Sequence, residues 1–388
     1  MKTIRIALTG GGTGGHIYPL IAVVEKLERI AIEKKVYMEI RYFGPSDMFK
    51  PALEDAGVKI SPVLAGKVRR YFSFLNLIDV PKIAIGFVQA LFKMYWFMPD
   101  VLFSKGGSGA FPVVLAAWFY RIPIIIHDSD AQPGLNNLFS ARFAKRIAVS
   151  FERALNYFDS KKTACVGNPV RSFLLSDKPD QALAKGKLGF DSEKSLVLFW
   201  GGSQGAKRLN DLVIADLKNL IKETQILHQT GIANFSEVQN LSKSAAPEIF
   251  SNKDVPSDII IEEKISYLPV PYLEQEELKL ALAAADLVVA RAGSNIFEIA
   301  AFSKPAILIP LAESANDHQR VNAYEFAKTG AAKVIEEANL LPGIFLSEIR
   351  DTLKNKELLG RMSLASGNFF KPQAAEVLAE EILRFVKV

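Results

Sequence analysis

Ile4-Arg-Ile-Ala-Leu8, Thr9-Gly-Gly-Gly-Thr-Gly-Gly-His16 and the apolar-periodic run after Pro19 decide the fold. They read in order as a buried strand, a glycine-rich turn and a helix over 20–30. The unit returns as Leu196-Val-Leu-Phe-Trp200, then Gly201-Gly-Ser-Gln-Gly-Ala206, then a helix predicted over 209–220, with 191 residues separating Gly10 from Gly201. A second pair follows the same plan. Asp100-Val-Leu-Phe103 leads into Gly106-Gly-Ser-Gly109 and Ile122-Pro-Ile-Ile-Ile126. Asp286-Leu-Val-Val289 leads into Ala292-Gly-Ser294, a helix over 295–302 and Pro305-Ala-Ile-Leu-Ile309. The offsets are 186 from Asp100 to Asp286 and 182 from Pro123 to Pro305. Short apolar strands alternating with helices, at near-equal offsets, imply two similar α/β halves with parallel sheets covered on both faces.

The length of 388 residues accommodates two domains. Hydrophobic residues at 49% and charged residues at 23% exclude a disordered chain. Lys plus Arg less Asp plus Glu is 47 − 42 = +5, too mild to make nucleic acid the expected partner. The single cysteine, Cys165, rules out an internal disulfide and a cysteine metal cluster, and reads as a small structural hydrophobe. His16, His127, His228 and His318 show no metal-binding spacing. Arg5 splits the first apolar stretch, so the start does not read as a signal peptide. The uncharged run between Lys105 and Arg121 is 15 residues long, too short to cross a bilayer. A reducing, cytoplasmic setting fits. The domain boundary is expected between Gly167-Asn-Pro-Val-Arg171 and Glu193.

A glycine-rich turn entering a helix lets backbone N–H groups approach an anion, and the helix N-terminus adds about half a positive charge. One such turn per half points to a diphosphate-bearing ligand. Gly10, Gly12 and Gly15 also satisfy the dinucleotide fingerprint, which alone is weak. That reading needs an acidic residue ending the second strand. The strand predicted over 37–43 ends in Phe43-Gly44-Pro45, with Asp47 beyond the turn, and the loop at Gly201 does not fit the fingerprint.

Thr9-Gly-Gly-Gly-Thr-Gly-Gly-His16, Gly167-Asn-Pro-Val-Arg171, Gly201-Gly-Ser-Gln-Gly-Ala206, Arg291-Ala-Gly293 and Asp317-His-Gln319 with Asn322 occur in this order. The ordered set, spanning residue 3 to the C-terminal helix, resembles the MurG family of bacterial glycosyltransferases. The resemblance implies a GT-B fold: two Rossmann-like domains facing a cleft. Residues 1–170 with the last helix, 372–388, would form the acceptor and membrane domain, and 171–371 the UDP-GlcNAc domain. It implies an inverting hexosyl transfer without a metal or other cofactor. N-acetylglucosamine passes from UDP-GlcNAc to the 4-hydroxyl of the muramyl sugar of lipid I, giving lipid II for peptidoglycan synthesis. The implied partners are UDP-GlcNAc, lipid I, an anionic membrane surface at the cytoplasmic face and other cell-wall synthesis proteins, with no nucleic acid.

Residue roles carry over by position. Gly202, Ser203 and Gln204 face the donor diphosphate, as do Gly293, Ser294 and Asn295 at the loop and helix start after Arg291. Glu298 holds the ribose hydroxyls, the backbone near Leu273 meets the uracil, and Gln319 with His318 reads the sugar hydroxyls. Thr13, Gly14 and Gly15 point to the acceptor diphosphate and the transferred sugar, and Asn137 faces the cleft. Arg171 is placed to contact phosphate. The family pattern His-Glu-Gln-Asn is His127-Asp-Ser-Asp130 here, so Asp130 stands where an asparagine is expected to touch the donor. Ser108 replaces an aromatic residue, and the stretch from Arg291 to Glu298 is one residue short. His16 either caps the helix or acts as general base on the acceptor hydroxyl. Glu298 is either a surface glutamate or a ligand residue. His228 reads as core rather than catalytic.

Residues 67–99 carry Lys67, Arg69, Arg70, Lys82 and Lys93 against Asp79 alone, interleaved with Tyr71, Phe72, Phe74, Phe87, Phe92, Tyr95, Trp96 and Phe97. Bases among aromatics suit anionic headgroups. Lys67, Arg69, Arg70, Phe72, Phe74 and Trp96 are the expected membrane contacts; the competing reading is aromatic core under a solvated basic face. Two other functions are weighed: a different GT-B nucleotide-sugar enzyme, such as an epimerase or a glycolipid synthase, and an NAD-binding oxidoreductase or nucleotide sensor.

Overall fold

The computed structural model describes residues 3–45, 49–66, 75–201, 206–247 and 265–386. The chain divides into two units, one of 1–172 with 371–388 and one of 173–370. The expected Gly202, Ser203 and Gln204 contacts lie outside the described residues, as do Lys67, Arg69, Arg70, Phe72 and Phe74.

The first unit holds seven strands: β1 (Ile4–Thr9), β2 (Met38–Phe43), β3 (Lys59–Ser61), β4 (Val101–Ser104), β5 (Ile124–Asp128), β6 (Arg146–Val149) and β7 (Thr163–Cys165). They form one parallel sheet in the order β3-β2-β1-β4-β5-β6-β7. Strand alternation divides the core. Ile6, Leu8, Val101 and Phe103 face Leu20, Val24 and Leu27 of the helix Gly14–Lys34, together with Leu378 and Ile382 of the C-terminal helix Ala374–Arg384. Ala7, Leu102, Ile124 and Ile126 face Met94 and Phe97 of the helix Leu75–Phe97 and Val113, Val114 and Ala117 of the helix Ala110–Phe119. Strands buried on both faces explain why the sequence shows continuous apolar runs rather than alternation. Cys165 packs at the edge of this second core, and its Sγ accepts from Lys371 Nζ at 3.3 Å.

The second unit holds β8 (Leu196–Trp200), β9 (Gln225–Gln229), β10 (Tyr267–Val270), β11 (Leu287–Ala290), β12 (Ala306–Leu308) and β13 (Ala332–Val334). Their parallel order, β10-β9-β8-β11-β12-β13, repeats the first six positions of the other sheet. The repeat read from the offsets is therefore a repeat of topology: β8 and β11 occupy the places of β1 and β4. In each sheet the strand order reverses between those two strands. Such a switch point opens a crevice at the carboxyl ends of the strands, where ligands of α/β folds bind. Glycine turns sit there, 10–13 and 106–109 in the first unit and 291–294 in the second, and Gly201 lies at the end of β8.

Both helices after the main glycine loops are longer than the periodicity predicts. The helix Gly14–Lys34 starts within the glycine run and carries Pro19 inside it. The helix Lys207–Glu223 starts directly after the second loop. Leading glycines and flanking charges carry no apolar period, so pattern alone places the starts too late. Among the described residues, no helix is long and apolar enough to cross a membrane.

Candidate active site

In the first unit the loops after β1 and β4 meet each other. A Cβ on Gly107 would lie 2.6 Å from Gly11 Cα, and one on Gly106 would lie 2.5 Å from Asn137 Nδ2. Both glycines have positive φ, +78° and +84°. Backbone conformation and close approach thus each exclude a side chain here. His16 closes the junction. Its Nδ1 lies 2.7 Å from Thr13 Oγ1, and its Nε2 lies 3.1 Å from where a Gly107 Cβ would stand. Thr13 occupies the N-cap position but makes no side-chain cap bond. His16 therefore pairs with the residue at the cap rather than capping the helix itself, and is half-buried beside both loops.

Behind the loops lies a buried polar cluster. Asn136 Nδ2 donates to Gly107 O at 2.8 Å. Asn137 is buried and donates to Asp128 Oδ2 at 2.8 Å and His127 O at 3.3 Å. Asp130 is half-buried, and its N–H donates to Asp128 Oδ1 at 2.9 Å. Burial and the neighbouring Asp130 push the Asp128 carboxyl above its ordinary range. Arg171 is buried with its guanidinium 4.0 Å from the centre of the Tyr18 ring, a cation–π contact within the first unit. Lys105 enters this cluster from the end of β4, a residue without a motif to mark it. Its one local signal is a lysine set directly before a glycine pair at a strand end.

In the second unit the 291–294 loop and the start of the helix Lys207–Glu223 are braced from behind. Arg291 spends its guanidinium inward: Nη1 donates to Ile309 O at 3.0 Å, and Nη2 lies 2.5 Å from Glu337 Oε1. Glu337, whose side chain is 2% exposed, also accepts from Arg208 Nη1 at 2.6 Å and from Ala312 N at 3.3 Å. Burial alone would raise this carboxyl. The two guanidiniums and the Ala312 N–H more than reverse that and hold it below the usual range. Glu337 thereby joins the first turn after the glycine loop (Arg208), the Arg291 loop and the segment after β12. Nothing local marks it in the sequence, because its partners lie 129, 46 and 25 residues away.

The remaining expected residues have these places. Gln319 Oε1 accepts from Leu311 N at 3.1 Å, leaving its NH₂ as the available donor group. Asn322 Nδ2 donates to Ala292 O at 3.2 Å, fixing the backbone beside Gly293. Ser294 precedes the helix Asn295–Ala301 without a side-chain cap bond, and Glu298 is half-buried in its first turn. Leu273 is buried, and its N–H donates to Gln229 Oε1 at 3.3 Å. His318 begins the helix His318–Lys328 after Asn316 and Asp317, both at positive φ. His228 is fully buried between Asn210 Oδ1 and Tyr267 Oη, at 3.0 and 3.1 Å. Among the described residues, no group of three or more His, Cys, Asp or Glu side chains is arranged to hold a metal ion.

The glycosyltransferase family 28 N-terminal domain matches residues 6–149, and the family's C-terminal domain matches 196–378. A UDP-N-acetylglucosamine--N-acetylmuramyl-(pentapeptide) pyrophosphoryl-undecaprenol N-acetylglucosamine transferase of Treponema denticola is 34% identical, covering 98% of this chain and 97% of its own. Its counterpart in Clostridium botulinum is 32% identical and covers 100% and 99%. Among solved structures, the MurG of Acinetobacter baumannii superposes with a TM-score of 0.72 at 25% identity, covering 98% and 99%. A UDP-GlcNAc 2-epimerase from Neisseria meningitidis, at TM-score 0.66 and 13% identity over 98% and 100%, shares the fold alone.

Proposed function

The chain belongs to glycosyltransferase family 28 and, within it, to the MurG family, and from that premise we propose that it transfers N-acetylglucosamine from UDP-GlcNAc to the 4-hydroxyl of the muramyl sugar of lipid I. The observation that carries this reading is the placement of the glycine turns 10–13, 106–109 and 291–294 at the switch points of the two sheets. Each puts backbone N–H groups and a helix start where a phosphate-bearing substrate binds. The second unit holds the donor. The loop from Gly201 and the N–H groups near Gly293 and Ser294 take the diphosphate, Glu298 the ribose and the Gln319 NH₂ a sugar hydroxyl. The first unit holds the acceptor at Thr13, Gly14 and Gly15.

The acceptor oxygen attacks the anomeric carbon, the bond from that carbon to UDP breaks, and UDP leaves with the electron pair. His16 takes the hydroxyl proton, and attack on the face opposite UDP inverts the configuration in a single displacement. Charge growing on UDP is met by oriented N–H groups and the helix dipole, as in an oxyanion hole, so the reaction needs no metal.

A lipid-linked acceptor requires the enzyme to reach a membrane surface, and we assign that contact to the face of the first unit around Trp96. Trp96 is 81% exposed and Phe119 60% exposed, and Phe92, Tyr95 and Trp118 are exposed beside them. Ring contacts link Trp96 to Tyr95, Tyr95 to Tyr120, and Tyr120 to Phe119. Aromatics gathered on one face form a larger patch than scattered surface residues do, which suits an interfacial contact. Incubation with UDP-GlcNAc and a lipid I analogue, with mass detection, tests the activity: a product heavier by one N-acetylhexosamine supports it. Release of a free epimerised sugar nucleotide, without transfer, would instead favour the epimerase reading.

A further inference from the structure

Lys105 is a buried cation to which the proposed reaction gives no part. Its side chain is 1% exposed. Its N–H donates to Thr9 O at 2.8 Å, continuing the β1–β4 ladder by one residue. The ammonium donates to three neutral acceptors: His127 Nδ1 at 2.6 Å, Ser129 Oγ, and Asn168 Oδ1 at 3.0 Å. Because His127 Nδ1 accepts, its Nε2 carries the ring proton and donates to Gly167 O at 2.8 Å. Ser129 Oγ donates onward to Asn168 Oδ1 at 3.1 Å. One ammonium thus joins the end of β4, the loop after β5 and the Gly167-Asn168 turn.

A buried ammonium is tolerated only with its hydrogen bonds filled and a counter-charge near. Both conditions hold. Ser129, which bonds the ammonium, stands between Asp128 and Asp130 in the chain, and the Asp130 N–H is tied to the Asp128 carboxylate. Burial lowers the Lys105 pKa to about 7, with Asp128 and Asp130 offsetting part of that fall. His127-Asp-Ser-Asp130 carries a carboxylate at 130 where the family pattern has an asparagine, and that carboxylate favours the charged form of Lys105.

We propose that Lys105 is a positioning residue for the transfer: its ammonium holds the 128–130 loop against Asn168 and is the internal counter-charge that lets Asp130 face the sugar substrates as a carboxylate. This rests on the transferase reading above. The test is a double-mutant cycle of wild type, Lys105→Met, Asp130→Asn and the double variant, each measured for transfer and for thermal midpoint. Lys105→Met is expected to lose at least about tenfold in kcat/KM, leaving two carboxylates uncompensated. Adding Asp130→Asn is expected to restore most of that loss and to raise the midpoint. A lysine with only a packing role predicts the opposite: losses that multiply and a midpoint that Asp130→Asn does not raise. That result overturns the proposal. Should Lys105→Met fail to fold, Lys105→Gln, which keeps a donor and drops the charge, enters the same cycle. A wild type that transfers nothing to lipid I overturns the transferase reading instead, and the coupling in midpoint still decides the role of Lys105.

Discussion

Replacing Glu337 by Gln removes one negative charge from beneath the proposed donor site while keeping the side chain's volume and an acceptor for Ala312 N. Its main partner, Arg291, is only 11% exposed, so the guanidinium is left charged in a largely dry place with Ile309 O as its remaining acceptor. Removing one partner of a buried pair costs about 3–5 kcal/mol. The retained bond to Ile309 O puts this case at the lower end, about 3 kcal/mol. The Arg208 contact adds little, because that side chain is 57% exposed and solvent screens it. In a unit of 198 residues (173–370), 3 kcal/mol corresponds to a fall of about 6–12 °C in its melting midpoint. The pH dependence has a definite sign. The folded pKa of Glu337 is depressed, so its contribution is present above the unfolded carboxyl pKa and lost as pH falls through the folded value. The gap between wild type and Glu337→Gln should therefore be full at pH 7 and close in acid. Because the braced segments carry the Arg291 loop and the approach to Gln319, the donor KM should rise while the acceptor KM holds. Calorimetric scans from pH 7 to pH 2, with donor kinetics at pH 7, measure all of this. A midpoint within about 2 °C of wild type at pH 7 would refute the argument, as would a gap that stays constant into acid.

Glu298→Ala should lose a charge-assisted hydrogen bond of about 1.5–3 kcal/mol and raise the donor KM about tenfold or more; unchanged donor kinetics in a folded variant would remove the ribose assignment. Burial pushes His228 down to about 3, so its contribution to stability is present above its unfolded pKa and drains away as pH falls toward the folded one. Denaturant unfolding should show a slope of about 1.4 kcal/mol per pH unit below pH 6 from this histidine, which His228→Gln should remove. Replacing Trp96 and Phe119 together by Ser should weaken binding to anionic vesicles equally at low and high salt, because apolar burial is not screened; co-sedimentation unchanged by the pair would remove that face from the membrane contact.

Much of the molecule is legible along the chain because its causes are local. A strand buried on both faces must be apolar throughout, and a helix shows its period, so β1, β4, β8 and β11 and the helices after them can be read from runs of a few residues. Glycine at 106 and 107 is dictated by positive φ and by the Asn137 side chain and the Gly11 backbone, which leave no room for Cβ, and a run of glycines before a helix announces an anion site. The equal offsets carried the repeat of topology in the same way. Charged side chains behave differently. Nothing local marks Lys105 or Glu337 as buried, and Arg291 is marked only by its motif, since a charge is nearly always solvated. Their burial depends on partners 18 to 129 residues away in sequence. Only the crossover order of each sheet brings His127 and Asn168 to the end of β4, or Arg208 and Ala312 to Glu337. The local period thus determined which segments would be strands, helices and anion-binding turns. Tertiary structure alone decided which charges would be taken out of water, because the cost of burying a charge is met only by groups that long-range folding places beside it.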